Sequence, residues 1–148
     1  METKFASHAT YKIRYHMVIC VKYRKQLLKL DKYINNLKQI IHEISARYWF
    51  EIDEMGTDGD HVHLFAGAAP RYAPSRIMQI LKSISARQMF QSHPEIKKEL
   101  WGGEFWSDGG YIGTVSDQAN AEVVKKYIRE QGDHQEKVQS NQLRLFKF

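Results

Sequence analysis

The chain has 148 residues, 43% hydrophobic and 26% charged, with a formal net charge of +5 and a single cysteine. That length supports one buried core and the composition excludes a disordered or low-complexity chain, while Cys20 alone excludes an internal disulfide and a four-cysteine zinc site. No apolar run approaches the roughly 18 residues of a membrane span and the polar opening Met1–Thr10 lacks a signal-peptide core, so a soluble cytoplasmic protein is expected, whose positive charge admits an anionic partner without naming one.

Tyr11–Val21, rich in Tyr, Ile, Val and Met, reads as a strand, and the basic cluster Lys22, Tyr23, Arg24, Lys25 follows it. From Asp31 to Tyr48 the apolar residues Ile34, Leu37, Ile41 and Ile44 recur at helical spacing, with Asp31 as the expected N-cap. Two strands, Trp49–Met55 and His61–Gly67, then flank a Gly/Asp-rich turn over Gly56–Asp60. Pro74 or Ser75 opens a second helix carrying Ile77, Leu81 and Ile84 on one face. Pro94 marks a break, and Trp101–Gly110 is aromatic and glycine-rich. A strand over Tyr111–Val115 leads into a helix from about Ala119 to Gln131, which Gly132 stops.

The order β-α-β-β-α-β-α predicts an α+β fold. Its first six elements match the ferredoxin-like βαββαβ arrangement, an antiparallel sheet with helices on one face, and a C-terminal helix is added to it. No repeat or linker divides the chain. A single domain is expected, with a core over about residues 8–132 and a tail 133–148 whose Leu143, Leu145, Phe146 and Phe148 dock on a surface.

Two residue pairs carry chemistry. His61 and His63 lie two apart on a strand, so both imidazoles project from one face while Val62 and Leu64 face the other way. That arrangement suits two ligands of one metal ion, and equally two polar residues on a solvent-facing surface. Tyr127 and Gln131 lie one helical turn apart inside an arc shared with Ala121, Val123, Val124 and Ile128, opposite Glu122, Lys125, Lys126, Arg129 and Glu130. A tyrosine there suits a core. A glutamine in an apolar stripe needs a partner, because burying an unpaired amide costs about 1–3 kcal/mol. A metal, a phosphate or a backbone group would each satisfy it.

The His-hydrophobic-His strand followed by a helix bearing Lys126-Tyr127-Ile128-x-x-Gln131 resembles the single-tyrosine HUH transposases (TnpA type) of small bacterial and archaeal insertion sequences. Supporting segments are Tyr15-His16-Met17-Val18 running to Cys20, Lys22-Tyr23-Arg24, Asp60-His61-Val62-His63-Leu64, Lys82 with Ser85-Ala86-Arg87, Leu100-Trp101-Gly102-Gly103, and Ile112-Gly113-Thr114-Val115. The likeness spans about residues 8 to 132. The turn Thr57-Asp58-Gly59-Asp60 departs from the family pattern in lacking a proline.

The resemblance implies a DNA strand transferase in which His61, His63 and Gln131 bind a divalent metal, Mg²⁺ or Mn²⁺, and Tyr127 is the nucleophile. It implies single-stranded DNA with subterminal hairpins as substrate, and a homodimer with composite sites in which the tyrosine helix of one subunit completes the histidine pair of the other, Gly132 lying near the hinge. A phenol suits that role, because its pKa near 10, against about 15.7 for water, makes it easier to ionise and a better leaving group. No phosphate-binding glycine loop is present, so no nucleotide cofactor is expected.

Asp60 is expected to orient a histidine from behind, and Asp58 shares that possibility; both also suit the turn. Lys22, Arg24, Lys25, Arg71, Lys82 and Arg87 are candidate phosphate contacts, and Tyr23, Tyr72, Trp101 and Trp106 candidate stacking residues. Three other readings stand beside this one. They are a domesticated endonuclease acting on repeated palindromic elements, a non-catalytic ferredoxin-like nucleic-acid binder, and a metal-dependent hydrolase using water.

Overall fold

The computed structural model describes residues 13–115 and 118–131, together with the backbone of two short strands, Phe5–Ala6 and Ala9–Thr10, that pair antiparallel. Gly132 and the 133–148 tail, to which the sequence assigned a hinge and a docking role, lie outside the described residues.

Strand β1 spans Arg14–Cys20, helix α1 Asp31–Tyr48, β2 Glu51–Asp58, β3 His61–Gly67, α2 Pro74–Ser92, β4 Tyr111–Val115 and α3 Gln118–Arg129. The sheet runs β2-β3-β1-β4 and every neighbouring pair is antiparallel, the ferredoxin-like arrangement. Short 3₁₀ turns follow β1 (Lys22–Arg24) and α2 (Pro94–Lys98).

Alternation along the strands sorts the sheet into two faces. Met17, Ile19, Val62, Leu64 and Ala66 point toward α1 and α2, meeting Leu37, Ile40, Ile41, Ile44, Ile77, Ile80, Leu81 and Met89 in the main core. Burying each of these Val, Leu, Ile or Met side chains stabilises by about 1.5–3 kcal/mol. On the other face Phe65 of β3 meets Ala121 and Ile128 of α3 in a second, smaller cluster. Two helices cover one face, as expected, and the added helix covers the other.

The element boundaries differ from expectation in instructive ways. Asp31 is the first helical residue of α1, and Leu30 is the cap with no side-chain bond; the Asp31 charge instead faces the helix dipole from the first turn. Trp49 does not begin a strand. It closes α1 in a left-handed conformation, its N–H donating to the Ser45 carbonyl, and is 51% exposed. Strand β2 continues through Gly56, Thr57 and Asp58, which pair with His63, Val62 and His61, so the turn shrinks to Gly59–Asp60. Its ladder is irregular between Ile52 and Glu54. Val123, placed by the helical wheel in the apolar arc of α3, is 68% exposed, whereas Lys125 is half-buried. The helix rests on the sheet along Ala121, Val124 and Ile128, a narrower stripe than the wheel drew.

Candidate active site

The α3 face of the sheet is where the polar residues of the strands gather. In register, Val18 stands opposite His63, Cys20 opposite His61, and His16 opposite Phe65. His16 and His63 are both 3% exposed and His61 8%. Such burial is unusual for imidazoles and demands partners.

His61 and His63 project side by side, their ring centroids 6.2 Å apart. Asp60 sits directly behind His61. Its Oδ1 contacts His61 Nδ1, while its Oδ2 accepts from Arg24 Nε at 3.1 Å. Burial of Asp60 would favour its neutral form, but the His61 and Arg24 contacts prevail and hold the carboxyl below its ordinary range. Burial likewise works against a charged His61; hydrogen bonds to Asp60 and Cys20 overcome it and raise this imidazole to about 9. His63 behaves oppositely. Burial, with His16 and His61 adding to it, pushes it down to about 3, so it stays neutral at any ordinary pH.

The sequence reading did not single out His16 for a role. Its Nε2 lies 3.4 Å from His63 Nδ1, the rings stack at 5.6 Å, and Tyr111 of β4 meets His16 edge-on at 5.7 Å. Burial lowers His16 to about 4. The signal was present in β1: Arg14, His16 and Cys20 alternate with the core residues Tyr15, Met17 and Ile19, which marks a second face carrying polar groups.

Helix α3 lays Tyr127 over this group. The Tyr127 ring meets His63 edge-on at 5.7 Å within the same chain. Gln131, just past the helix end, is 7% exposed, and its Nε2 donates to the Tyr127 carbonyl at 3.0 Å. The approach depends on Gly56. A Cβ there would run into the Ile128 carbonyl oxygen and lie 3.1 Å from Gln131 Cβ, so only a glycine lets the helix backbone close onto β2. Because Gly56 pairs with His63, the same contact brings Gln131 above that strand position. Arg129 fastens the helix further, its Nε and Nη2 each 3.1 Å from Glu54 Oε1.

The donor set suits a divalent cation. His63 is neutral, His61 with Asp60 behind its Nδ1 could serve as a ligand on giving up its proton, and the Gln131 Nε2 donates to the Tyr127 carbonyl, so its oxygen is the atom that could face a cation. Among the described residues no three His, Cys, Asp or Glu side chains form a metal-binding group. A cation held here would have to rely on two imidazoles, an amide and oxygens of a bound phosphate, a set that would suit Mg²⁺ or Mn²⁺.

The remaining sequence candidates are dispersed. Lys22 pairs with Glu104 at 2.9 Å and Arg24 with Asp60, both at the His61 end of the site. Arg71 lies over the Tyr72 ring at 4.9 Å, in the segment after β3. Lys82 and Arg87 belong to α2 in the opposite layer. Lys82 donates to the Ser107 and Gly109 carbonyls at 2.7 and 2.9 Å and holds the 101–110 loop. Of the aromatic candidates, Trp106 is core, its Nε1 donating to Ser85 Oγ at 2.9 Å, and Tyr72 packs on Phe50. Tyr23 and Trp101 remain exposed, at 45% and 70%.

A ferredoxin-like sheet with paired histidines on a central strand and a helix laid across them is the arrangement of a class of transposases. The chain belongs to the IS200-like transposase family, whose model (Y1_Tnp, "Transposase IS200 like") matches residues 9–131. It is 38% identical over 133 residues to the ISDra2 transposase TnpA of Deinococcus radiodurans, covering 90% of this chain and 94% of that protein. It is 26% identical to the transposase for insertion sequence element IS200 of Salmonella typhimurium, over 88% of this chain and 84% of that one. Among solved structures it superposes on a crystal structure from D. radiodurans R1 described as that of a transposase (TM-score 0.67, 32% identity, 88% of this chain and 98% of that one). The fold is also shared with a REP-associated tyrosine transposase bound to a REP hairpin (TM-score 0.56, 15% identity, 86% and 70%). No helix among the described residues is long and apolar enough to cross a membrane.

Proposed function

We propose that this transposase cuts and rejoins single-stranded DNA in the cytoplasm through a covalent bond between Tyr127 and a 5′-phosphate. The observation that supports it most directly is the Tyr127 ring lying 5.7 Å from His63 on a face shared with His61. The Tyr127 oxygen attacks phosphorus and loses its proton. The P–O3′ bond breaks, the leaving 3′ oxygen takes up a proton, and the phosphodiester energy is kept in the phosphotyrosine bond. A DNA 3′-hydroxyl reverses these steps on a new end, so no nucleotide cofactor is consumed.

His61, His63 and Gln131 would hold a divalent cation, Mg²⁺ or Mn²⁺, which supplies charge neutralisation at the scissile phosphate. The chain's own residues do the positioning. His16 and Asp60 orient the two imidazoles through their Nδ1 atoms, Arg24 holds Asp60, and Gly56 sets the depth of Tyr127. Positioning and charge are most of what phosphoryl transfer asks of a protein.

Incubation with a hairpin-bearing single-stranded oligonucleotide from the ends of the element and Mn²⁺ tests this. A covalent protein–DNA species is expected on a denaturing gel, lost with EDTA and with Tyr127→Phe. Cleavage with no adduct would sink the proposal in favour of a hydrolase using water, and DNA binding unaffected by Tyr127→Phe with no cleavage at all would leave a nucleic-acid binder.

The proposal includes a homodimer with exchanged tyrosine helices. Among the described residues α3 meets its own sheet through the small Phe65, Ala121, Ile128 cluster, the Gly56–Ile128 approach, the Tyr127–His63 ring contact and the Arg129–Glu54 pair, a surface modest enough to trade between copies. Mixing Tyr127→Phe chains with His63→Ala chains is expected to recover adduct. No recovery would confine each site to one chain.

A further inference from the structure

We propose that Trp101, backed by Tyr23, is a stacking platform for an unpaired DNA base beside the active site. It rests on the DNA-cutting function proposed above and names a binding surface for it. Trp101 is the most exposed large apolar side chain among the described residues, at 70%. It is not loose: its ring stacks on Tyr23 at 4.9 Å with an interplanar angle of 23°, and the Tyr23 hydroxyl donates to the Trp101 carbonyl at 3.1 Å. A large indole held rigid in solvent, one face supported, is preorganised for a second flat ring.

The backbone is strained to present it. Tyr23 and Arg24 have φ of 59° and 54°, successive non-glycine residues in the left-handed region that L side chains disfavour. This turn aims the two side chains apart, Tyr23 to Trp101 and Arg24 to Asp60. The platform is thereby one residue from the Arg24–Asp60–His61 chain that orients a proposed metal ligand. A cleft of about 560 Å³ adjoins it, lined by Trp101, Phe90, Leu100, Arg87 and Lys97. That volume accepts a nucleotide. The two cations suit the flanking phosphates, and Lys22 lies 5.6 Å from the Tyr23 ring. Aromatic support with cations at its edge is the chemistry of single-strand binding.

The test compares dT15 with a fully abasic 15-mer of equal charge, by fluorescence anisotropy in EDTA at low salt. Trp101→Ala is expected to weaken dT15 binding about 10-fold, leaving abasic binding unchanged. Trp101→Phe is expected to keep dT15 within about 3-fold, and Arg87→Ala to weaken both probes alike. The platform is overturned if Trp101→Ala leaves both affinities unchanged or lowers both equally. Covalent adduct from the wild type in the cleavage assay separates failure of the platform from failure of the function; a wild type that neither binds dT15 nor forms adduct overturns both.

Discussion

His61 and His63 share one strand face yet carry opposite protonation. Asp60 and Cys20 keep His61 charged up to about 9, and burial keeps His63 neutral down to about 3. In Asp60→Asn the anion behind His61 is gone, and an NMR titration in EDTA should find the His61 midpoint fall by about one unit or more; a midpoint still near 9 would show that the Cys20 contact, not Asp60, raises this imidazole. His16 acts on the neutral partner. Its Nε2 meets His63 Nδ1 at 3.4 Å, so at the proposed metal site His16→Phe should weaken Mn²⁺ binding by about 10-fold or more in calorimetry, in line with losses at outer-shell partners. Recovery in His16→Asn would distinguish hydrogen bonding from packing. The His-x-His pair and Tyr127 were legible because period 2 and period 3.6 need only local sequence. The contact between His16 and His63, 47 residues apart, was not, since strand pairing decides it.

At the level of elements, α3 is seated by one missing side chain. Gly56→Ala places a methyl group against the Ile128 carbonyl, so the helix must lift. The expected cost is about 1–3 kcal/mol, seen as a lower Tm, with a larger loss of adduct because Tyr127 moves with the helix. Full activity in this variant would mean that the depth of α3 is irrelevant to cleavage. The interiors of α1, β3 and β4 were readable from periodicity, and their bounds agree with expectation. The errors fell where tertiary contacts override local signals. Gly56 reads as a turn residue in isolation, yet it is a strand residue left bare for a helix backbone. Val123 belongs to the apolar arc by angle, yet α3 meets the sheet along Ala121, Val124 and Ile128 and leaves it exposed.

Across the whole molecule, the buried imidazoles make stability depend on pH. His16 and His63 have folded values of about 4 and about 3, below the 6.5 they regain on unfolding. The unfolded chain therefore binds protons that the native state refuses below pH 6.5, and stability is lost at about 1.4 kcal/mol per pH unit for each residue. His61 has the reverse sign: its contribution is complete below 6.5 and declines as pH rises toward about 9. Thermal unfolding in EDTA should thus peak near neutrality and drop from pH 6.5 to pH 5; a flat Tm across that range would contradict neutral burial of His16 and His63. The linear chain already specified the fold class, the faces of its strands and the candidate site residues, because hydrophobic period and side-chain type are local quantities. Which polar groups meet came only from the folded sheet, where antiparallel register sets His16 against His63, and a glycine on β2 lets the last helix settle over both. Electrostatics followed from that assembly, since identical imidazoles two residues apart diverge only once burial and a carboxylate are distributed unequally around them.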